Sequence, residues 1–227
     1  MKPESWKTEP ESMPSPIRRN WVWCSIQFVL RFVFVTWLRY RARGIEKIPR
    51  SGGCLFLINH QSFLDPLLVG LPLNRPISFL ARDSLFLVPI VGWLLKNAYV
   101  MRINRESASS TSIQSAVQRL KHGFLVGMFP EGTRSKDGSV GEFKRGFLAL
   151  VRRTQSPVFP VGIAGAHEVL PRNGWLLKPF KVAVVFGDPL SPDDIQLLSQ
   201  REQEDKFVAL ARQRIMECQQ EAETWRR

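Results

Sequence analysis

Cysteine is scarce in this 227-residue chain: Cys24, Cys54 and Cys218 are three in number, far apart, and two of them sit in apolar surroundings. That rules out a disulfide framework, offers no ligand spacing for a metal, and points to a reducing compartment. Acidic residues are also few, 20 against 32 Lys and Arg, leaving a formal charge of +12. Such an excess calls for an anionic partner, whether a membrane surface, a phosphorylated substrate or nucleic acid. Nucleic acid fits least well, because the basic residues are scattered and no RNA- or DNA-binding signature occurs. There is no internal repeat, and the first residues do not form the n-region of a signal peptide. A chain of this length is most simply one domain with a sizeable core and short appendages.

Residues 1–19 hold four prolines and mixed charges with almost no apolar periodicity, so a disordered or loosely ordered tail is expected. Residues 20–38 are dense in Trp, Phe, Val and Leu. They are long enough in principle to cross a bilayer, but Asn20, Cys24, Gln27 and Arg31 recur at helical spacing, and arginines flank both ends without an inside bias. That pattern suits a helix lying in the interface, with Trp21, Trp23 and Trp37 at headgroup depth. The chain would then sit monotopically or peripherally at the cytoplasmic face of the cell membrane.

Strands and helices alternate beyond this point. Strands are expected at 44–49, 54–58, 77–81, 98–101, 125–129, 157–164 and 180–186. Helices are expected from Pro66, toward Lys96, over 109–122 and over 147–153. Near the C-terminus, Phe207, Leu210, Ala211, Ile215 and Cys218 form one apolar helical stripe. The fold class is α/β: a mostly parallel or mixed central sheet flanked by helices, with an N-terminal membrane-associated helix. The divisions are a tail at 1–19, the membrane-associated helix at 20–43, the α/β core at 44–190, and a C-terminal helical segment at 191–227 packed on the core.

Two polar turns follow buried strands. In the first, Asn59 to Asp65, a continuous helix would put His60 and Asp65 about 140° apart around its axis, so they would share no face. A bend between them lets the Asp65 carboxylate reach a ring nitrogen of His60, fix the tautomer and make the other nitrogen a base for a hydroxyl. Pro66 fits a helix start and makes Asp65 the expected N-cap. An isolated HxxxxD recurs by chance, so the rest of the chain has to decide. In the second turn, Glu131 to Ser135, a glycine allows close backbone approach, Arg134 can grip phosphate, and Glu131 can accept from a hydroxyl. Lys144 and Arg145 add positive charge before a helix start. A basic domain carrying both turns suits a phosphorylated alcohol.

On these residues the sequence resembles the glycerolipid acyltransferases typified by 1-acyl-glycerol-3-phosphate acyltransferase. Residues 59–65 match an NHxSxxD block, 129–135 match FPEGTRS, 158–163 match V-x-P-V-G-I, and Phe143 to Gly146 give FKRG. Within 44–190 the blocks stand in the family's order. The resemblance implies His60 as general base, Asp65 as its orienting partner, and Glu131, Gly132, Thr133, Arg134 and Lys144 around the acceptor's glycerol phosphate. It also implies an acyl thioester donor, acyl-CoA or acyl carrier protein, a lysophospholipid acceptor, no bound cofactor or metal, and membrane attachment. The sequence departs from the family at Arg82, where a lysine is common, and at 102–105, Arg-Ile-Asn-Arg, which replaces an I-D-R ending. That leaves two other readings: transfer to another lysolipid or a lipid-linked amine, and a non-catalytic basic membrane-binding module. The second explains the charge and the tryptophans but not His60 with Asp65.

Overall fold

The computed structural model describes residues 15–16, 20–82, 86–87, 89–103, 110–174 and 176–227. Most of the expected tail at 1–19 lies outside the described residues, as do Asn104, Arg105 and Ser109. In chain order the elements are α1 (Trp21–Trp37), β1 (Arg41–Arg43), β2 (Cys54–Ile58), α2 (Asp65–Gly70) and β3 (Ile77–Arg82). Then come α3 (Pro89–Asn97), β4 (Met101–Ile103), α4 (Ser110–Lys121), β5 (Leu125–Met128) and α5 (Leu148–Thr154). The rest are β6 (Val158–Ala164), α6 (Ala166–Val169), β7 (Ala183–Phe186), α7 (Pro192–Gln196) and α8 (Glu204–Arg226).

The described strands form one mixed sheet in the order β1-β7-β6-β2-β5-β3-β4, parallel at every pairing except β6 with β7. β2 lies at its centre, buried at all five positions, as an uninterrupted apolar run requires. Its residues alternate between two cores. Cys54, Phe56 and Ile58 face a layer holding Trp23, Phe34, Leu68 and Phe186, while Leu55 and Leu57 face Ala116, Phe147, Leu150, Phe207 and Ile215. Helices α1 and α2 therefore cover one face, and α4, α5 and α8 the other. On the second face the backbone of α8 crosses β6 so closely that a Cβ on Gly162 would meet Gln219 N at 2.1 Å.

Helix α1 begins where its capping residue predicts, with Asn20 Oδ1 accepting from Trp23 N at 2.7 Å. Gln27 Nε2 donates to the carbonyls of Gly70 and Leu73, and Tyr40 Oη donates to Leu68 O, which ties the helix to α2. Trp21, Phe28, Phe32 and Val35, spaced i, i+7, i+11 and i+14, form its exposed outer stripe. No described helix is long and apolar enough to cross a membrane.

Several expectations change. Trp23 is 7% exposed, packs edge-on against Tyr99 and lies over Gly70, so it belongs to the core and not to a headgroup layer. The strand expected at 44–49 is instead β1 at 41–43, paired with β7. It lies within the stretch assigned to the membrane helix, and a three-residue edge strand reading Arg-Ala-Arg has no apolar run to announce it. Gly44 follows at φ +83° and opens a short 3₁₀ turn, where a Cβ would strike Phe186 O. β4 and β7 start later than expected, at Met101 and Ala183.

Candidate active site

Because β2 and β5 are neighbouring parallel strands, the polar turns that leave their carboxyl ends are delivered side by side. The backbone then links them, with Ser135 N donating to His60 O at 2.7 Å, while Lys144 N donates to Pro130 O at 2.8 Å and brings Lys144 to the second turn.

Within the first turn the chain bends as the helix geometry demands. His60 Nδ1 lies 2.7 Å from Asp65 Oδ2, and the same oxygen accepts from the backbone N–H of Gln61 and Ser62 at 2.7 and 2.8 Å. Asp65 is fully buried, and among the described residues its other oxygen has no hydrogen-bond partner. Burial pushes its carboxyl above the ordinary carboxylate range, while His60 and the amides of Ser62 and Gln61 pull the other way. Asp65 is not the N-cap. Leu64 already has helical angles, so Asp65 is the first residue of α2 and its side chain folds back into the turn. The His60 ring stacks on Phe129 at 4.1 Å, with Phe79 behind Phe129 at 5.7 Å. Among the described residues no group hydrogen-bonds to His60 Nε2. An imidazole held at Nδ1 by a carboxylate and left open at Nε2 can act as a base.

The turn is pinned from three directions. Asn59, fully buried, pairs both its amide groups with β6, Oδ1 accepting from Ile163 N at 2.7 Å and Nδ2 donating to Ile163 O at 3.0 Å. Gln61 Nε2 donates to Gly138 O, and its Oε1 accepts from Ala166 N. Ser62 Oγ donates to Leu170 O. Their partners lie far away in the chain, so no local pattern reveals them. The signal available in sequence is a run of polar residues directly after a fully apolar strand.

In the second turn Glu131 departs from its expected place at the substrate. It is 5% exposed, and its oxygens accept from His60 N at 2.9 Å and Gly141 N at 3.1 Å. Burial raises its carboxyl above the ordinary range, against the His60 and Gly141 amides. It clamps the two turns together from within. Gly132 sits at φ +67° with the Lys144 side chain directly above it, where a Cβ would come within 3.1 Å of Lys144 Nζ. Gly132, Thr133 and Lys144 are exposed. The Arg134 guanidinium lies 3.6 Å over the Phe63 ring and donates from Nη1 to Arg172 O at 3.0 Å. Phe63 and Arg172 were not among the expected site residues. Beyond them Asp137, held down to about 2 by Ser139 and Ser135, shapes the loop that presents Gly138 to Gln61. A separate cavity of about 560 Å³, bordered by Arg43, Phe186 and Cys218, shares no lining residue with this site. Among the described residues no His, Cys, Asp and Glu cluster is arranged to hold a metal.

The acyltransferase family profile matches residues 39–164, which contain both turns. A 1-acyl-sn-glycerol-3-phosphate acyltransferase of Pseudomonas aeruginosa is 34% identical over 187 residues, 79% of this chain and 71% of that protein. A chloroplastic enzyme of the same name from Brassica napus is 32% identical over 160 residues, 69% of this chain. There the chain spans only 46% of the relative's length. Among solved structures, the 1-acyl-sn-glycerophosphate acyltransferase PlsC of Thermotoga maritima superposes with a TM-score of 0.72 at 30% identity, covering 88% of this chain and 80% of that one. Strands β1 to β6 and both turns fall within residues 39–164, and the chain belongs to the acyltransferase family.

Proposed function

We propose that the protein transfers a fatty acyl group from an acyl thioester, on CoA or acyl carrier protein, to the free hydroxyl of lysophosphatidic acid, giving phosphatidic acid for phospholipid biosynthesis. The observation that carries this reading is the 2.7 Å contact between His60 Nδ1 and buried Asp65, with Nε2 left open beside a cationic turn. Nε2 takes the hydroxyl proton as the oxygen attacks the thioester carbonyl. The tetrahedral intermediate collapses, the thiolate leaves, and His60 returns the proton to it. Asp65 fixes the tautomer and stabilises the imidazolium between these steps. No covalent acyl-enzyme is formed, and the step as written calls for no metal or bound cofactor.

Arg134, with Lys144 over Gly132, supplies the charge for the acceptor phosphate, and Thr133 borders the same turn. The Arg134 guanidinium lies flat over Phe63 and is tied through Nη1 to Arg172 O, which fixes its charge at the edge of the turn. Residues 20–38 hold the protein in the interface at the cytoplasmic membrane face. In support, α1 has 17 residues, a length of about 26 Å at 1.5 Å per residue, against a hydrocarbon core of about 30 Å. Its outward stripe is aromatic and aliphatic.

The test is a panel of lysophosphatidic acid, other lysophospholipids and a lipid-linked amine, each offered with labelled acyl-CoA and acyl carrier protein to the purified chain. Preferred transfer to the phosphate monoester supports the proposal. Preferred transfer to a neutral lysolipid or an amine contradicts the acceptor, and no transfer from either donor contradicts the activity.

A further inference from the structure

Leu176, Leu177 and Phe180 are 58%, 39% and 43% exposed in a loop that no part of the acyl-transfer chemistry uses. The loop is tied by backbone hydrogen bonds at two points: Lys178 N donates to Val169 O at 2.8 Å, and Phe180 N donates to Lys178 O at 2.9 Å. The loop is folded with its apolar side chains turned to water. Before it, Leu170 O accepts from Ser62 Oγ in the His60 turn, and Arg172 O accepts from Arg134. After it, Val182 N donates to the carbonyl of Leu38, which caps the C-terminal end of α1. The segment therefore runs from the mouth of the site to the end of the helix whose outer stripe is apolar. Phe63, 62% exposed, stands on the His60 turn, and Leu67, 39% exposed, on α2, which Gln27 of α1 and the following Tyr40 hold through Gly70 O and Leu68 O.

We infer that residues 176–180 are a second lipid-contacting element, which seats the mouth of the His60 site on an anionic bilayer surface. The inference rests on the proposed attachment of residues 20–38 and extends it to the side of the molecule that carries the chemistry. Charge selects this occupant. From Val169 to Gly187 the chain has Arg172, Lys178 and Lys181 and no acidic residue. Exposed apolar side chains rimmed by cations match the acyl boundary below a layer of anionic headgroups. In this arrangement an acceptor lipid keeps its tail in the leaflet while its phosphate rises toward Arg134.

The test uses the full chain carrying Cys24→Ser, with an environment-sensitive fluorophore on Leu177→Cys, Phe32→Cys or Lys206→Cys. Lys206 is exposed on α8, at the opposite face of the sheet. The vesicles are equimolar phosphatidylglycerol and phosphatidylcholine with nitroxide-labelled acyl chains. Quenching at 177 and 32 but not at 206 is expected. Quenching at 32 without 177 overturns the inference and leaves the α1 attachment standing, whereas quenching at 177 without 32 overturns the α1 attachment and, with it, the standing of 176–180 as a second element. Quenching at neither position overturns both, and equal quenching at 177 on pure phosphatidylcholine overturns the role given to the cations. As a second measurement, Leu176→Ser, Leu177→Ser and Phe180→Ser together should weaken binding to the anionic vesicles by about tenfold or more. Turnover of a water-soluble short-chain acceptor should not change. Unaltered vesicle affinity would overturn the inference.

Discussion

Consider replacing Asp65 with asparagine, which keeps the shape of the side chain and removes its charge. Three donors converge on Asp65 Oδ2, from His60, Gln61 and Ser62, while Oδ1 is buried and, among the described residues, unpaired. A hydrogen bond to a charged group is worth about 1.5–3 kcal/mol and a neutral one about 0.5–1.5, so neutralising the acceptor costs roughly 3 kcal/mol over three bonds. Against this, holding an ion in the interior carries a penalty of about several kcal/mol, which the substitution releases. The two terms nearly cancel, and at neutral pH the stability of Asp65→Asn should stay within about 2 kcal/mol of the parent. Asp65→Ala, by contrast, strands three buried donors at about 1–3 kcal/mol each and should be strongly destabilised.

Activity behaves differently. The Gln61 and Ser62 amides keep the amide oxygen in place, so His60 Nδ1 retains an acceptor but the imidazolium loses the negative charge that stabilises it, and kcat/KM should fall by about 10²- to 10⁴-fold. The pH dependence gives a separate sign. Burial raises the Asp65 carboxyl, so its stabilisation is fully present below the ordinary value of 3.8 and is lost as pH rises through the folded-state value. Asparagine does not titrate, so the stability difference should move in favour of the variant as pH climbs through that window. Urea midpoints at stepped pH, measured beside steady-state kinetics, read both effects. An asparagine variant that turns over normally, or one that unfolds as readily as Asp65→Ala, would refute this reasoning.

Other residues give further expectations. Asn59→Ala leaves the buried N–H and C=O of Ile163 unpaired and should cost about 2–5 kcal/mol in urea unfolding. Arg134→Ala should raise KM for a phosphate-bearing acceptor by about tenfold to a hundredfold and leave KM for the acyl donor nearly unchanged, while equal damage to both would make Arg134 structural. Gly138→Ala should destabilise by at least about 1 kcal/mol, since φ is +87° and its Cβ would come 2.4 Å from His167 Nδ1. Adding His167→Ala should restore only the steric part, as thermal unfolding of the double variant would show.

What the sequence disclosed followed from whether the cause was local. β2, β5 and β6 are short apolar runs set off by glycine and polar turns, and their identity could be read directly. The bend between His60 and Asp65 was also legible, because helix geometry forbids the contact otherwise. Glu131 was misplaced because a carboxylate in a polar turn looks available, and only the fold shows the His60 and Gly141 amides closing around it. Asn59 and Gln61 stayed hidden for the same reason, their partners being about a hundred residues away on β6 and α6. Trp23 was assigned to lipid from its neighbours' composition, whereas its burial depends on Tyr99 and on the missing side chain of Gly70.

The most direct measurement is the rate at which His60→Ala forms phosphatidic acid from labelled acyl thioester and lysophosphatidic acid, in vesicles and under single-turnover conditions. Circular dichroism and vesicle binding, recorded on the same sample, report whether the fold and attachment persist. If His60 takes the hydroxyl proton, the rate falls by about 10²- to 10⁴-fold while both controls stay at the parent's values. A folded, membrane-bound His60→Ala protein turning over near the parent rate would contradict the mechanism.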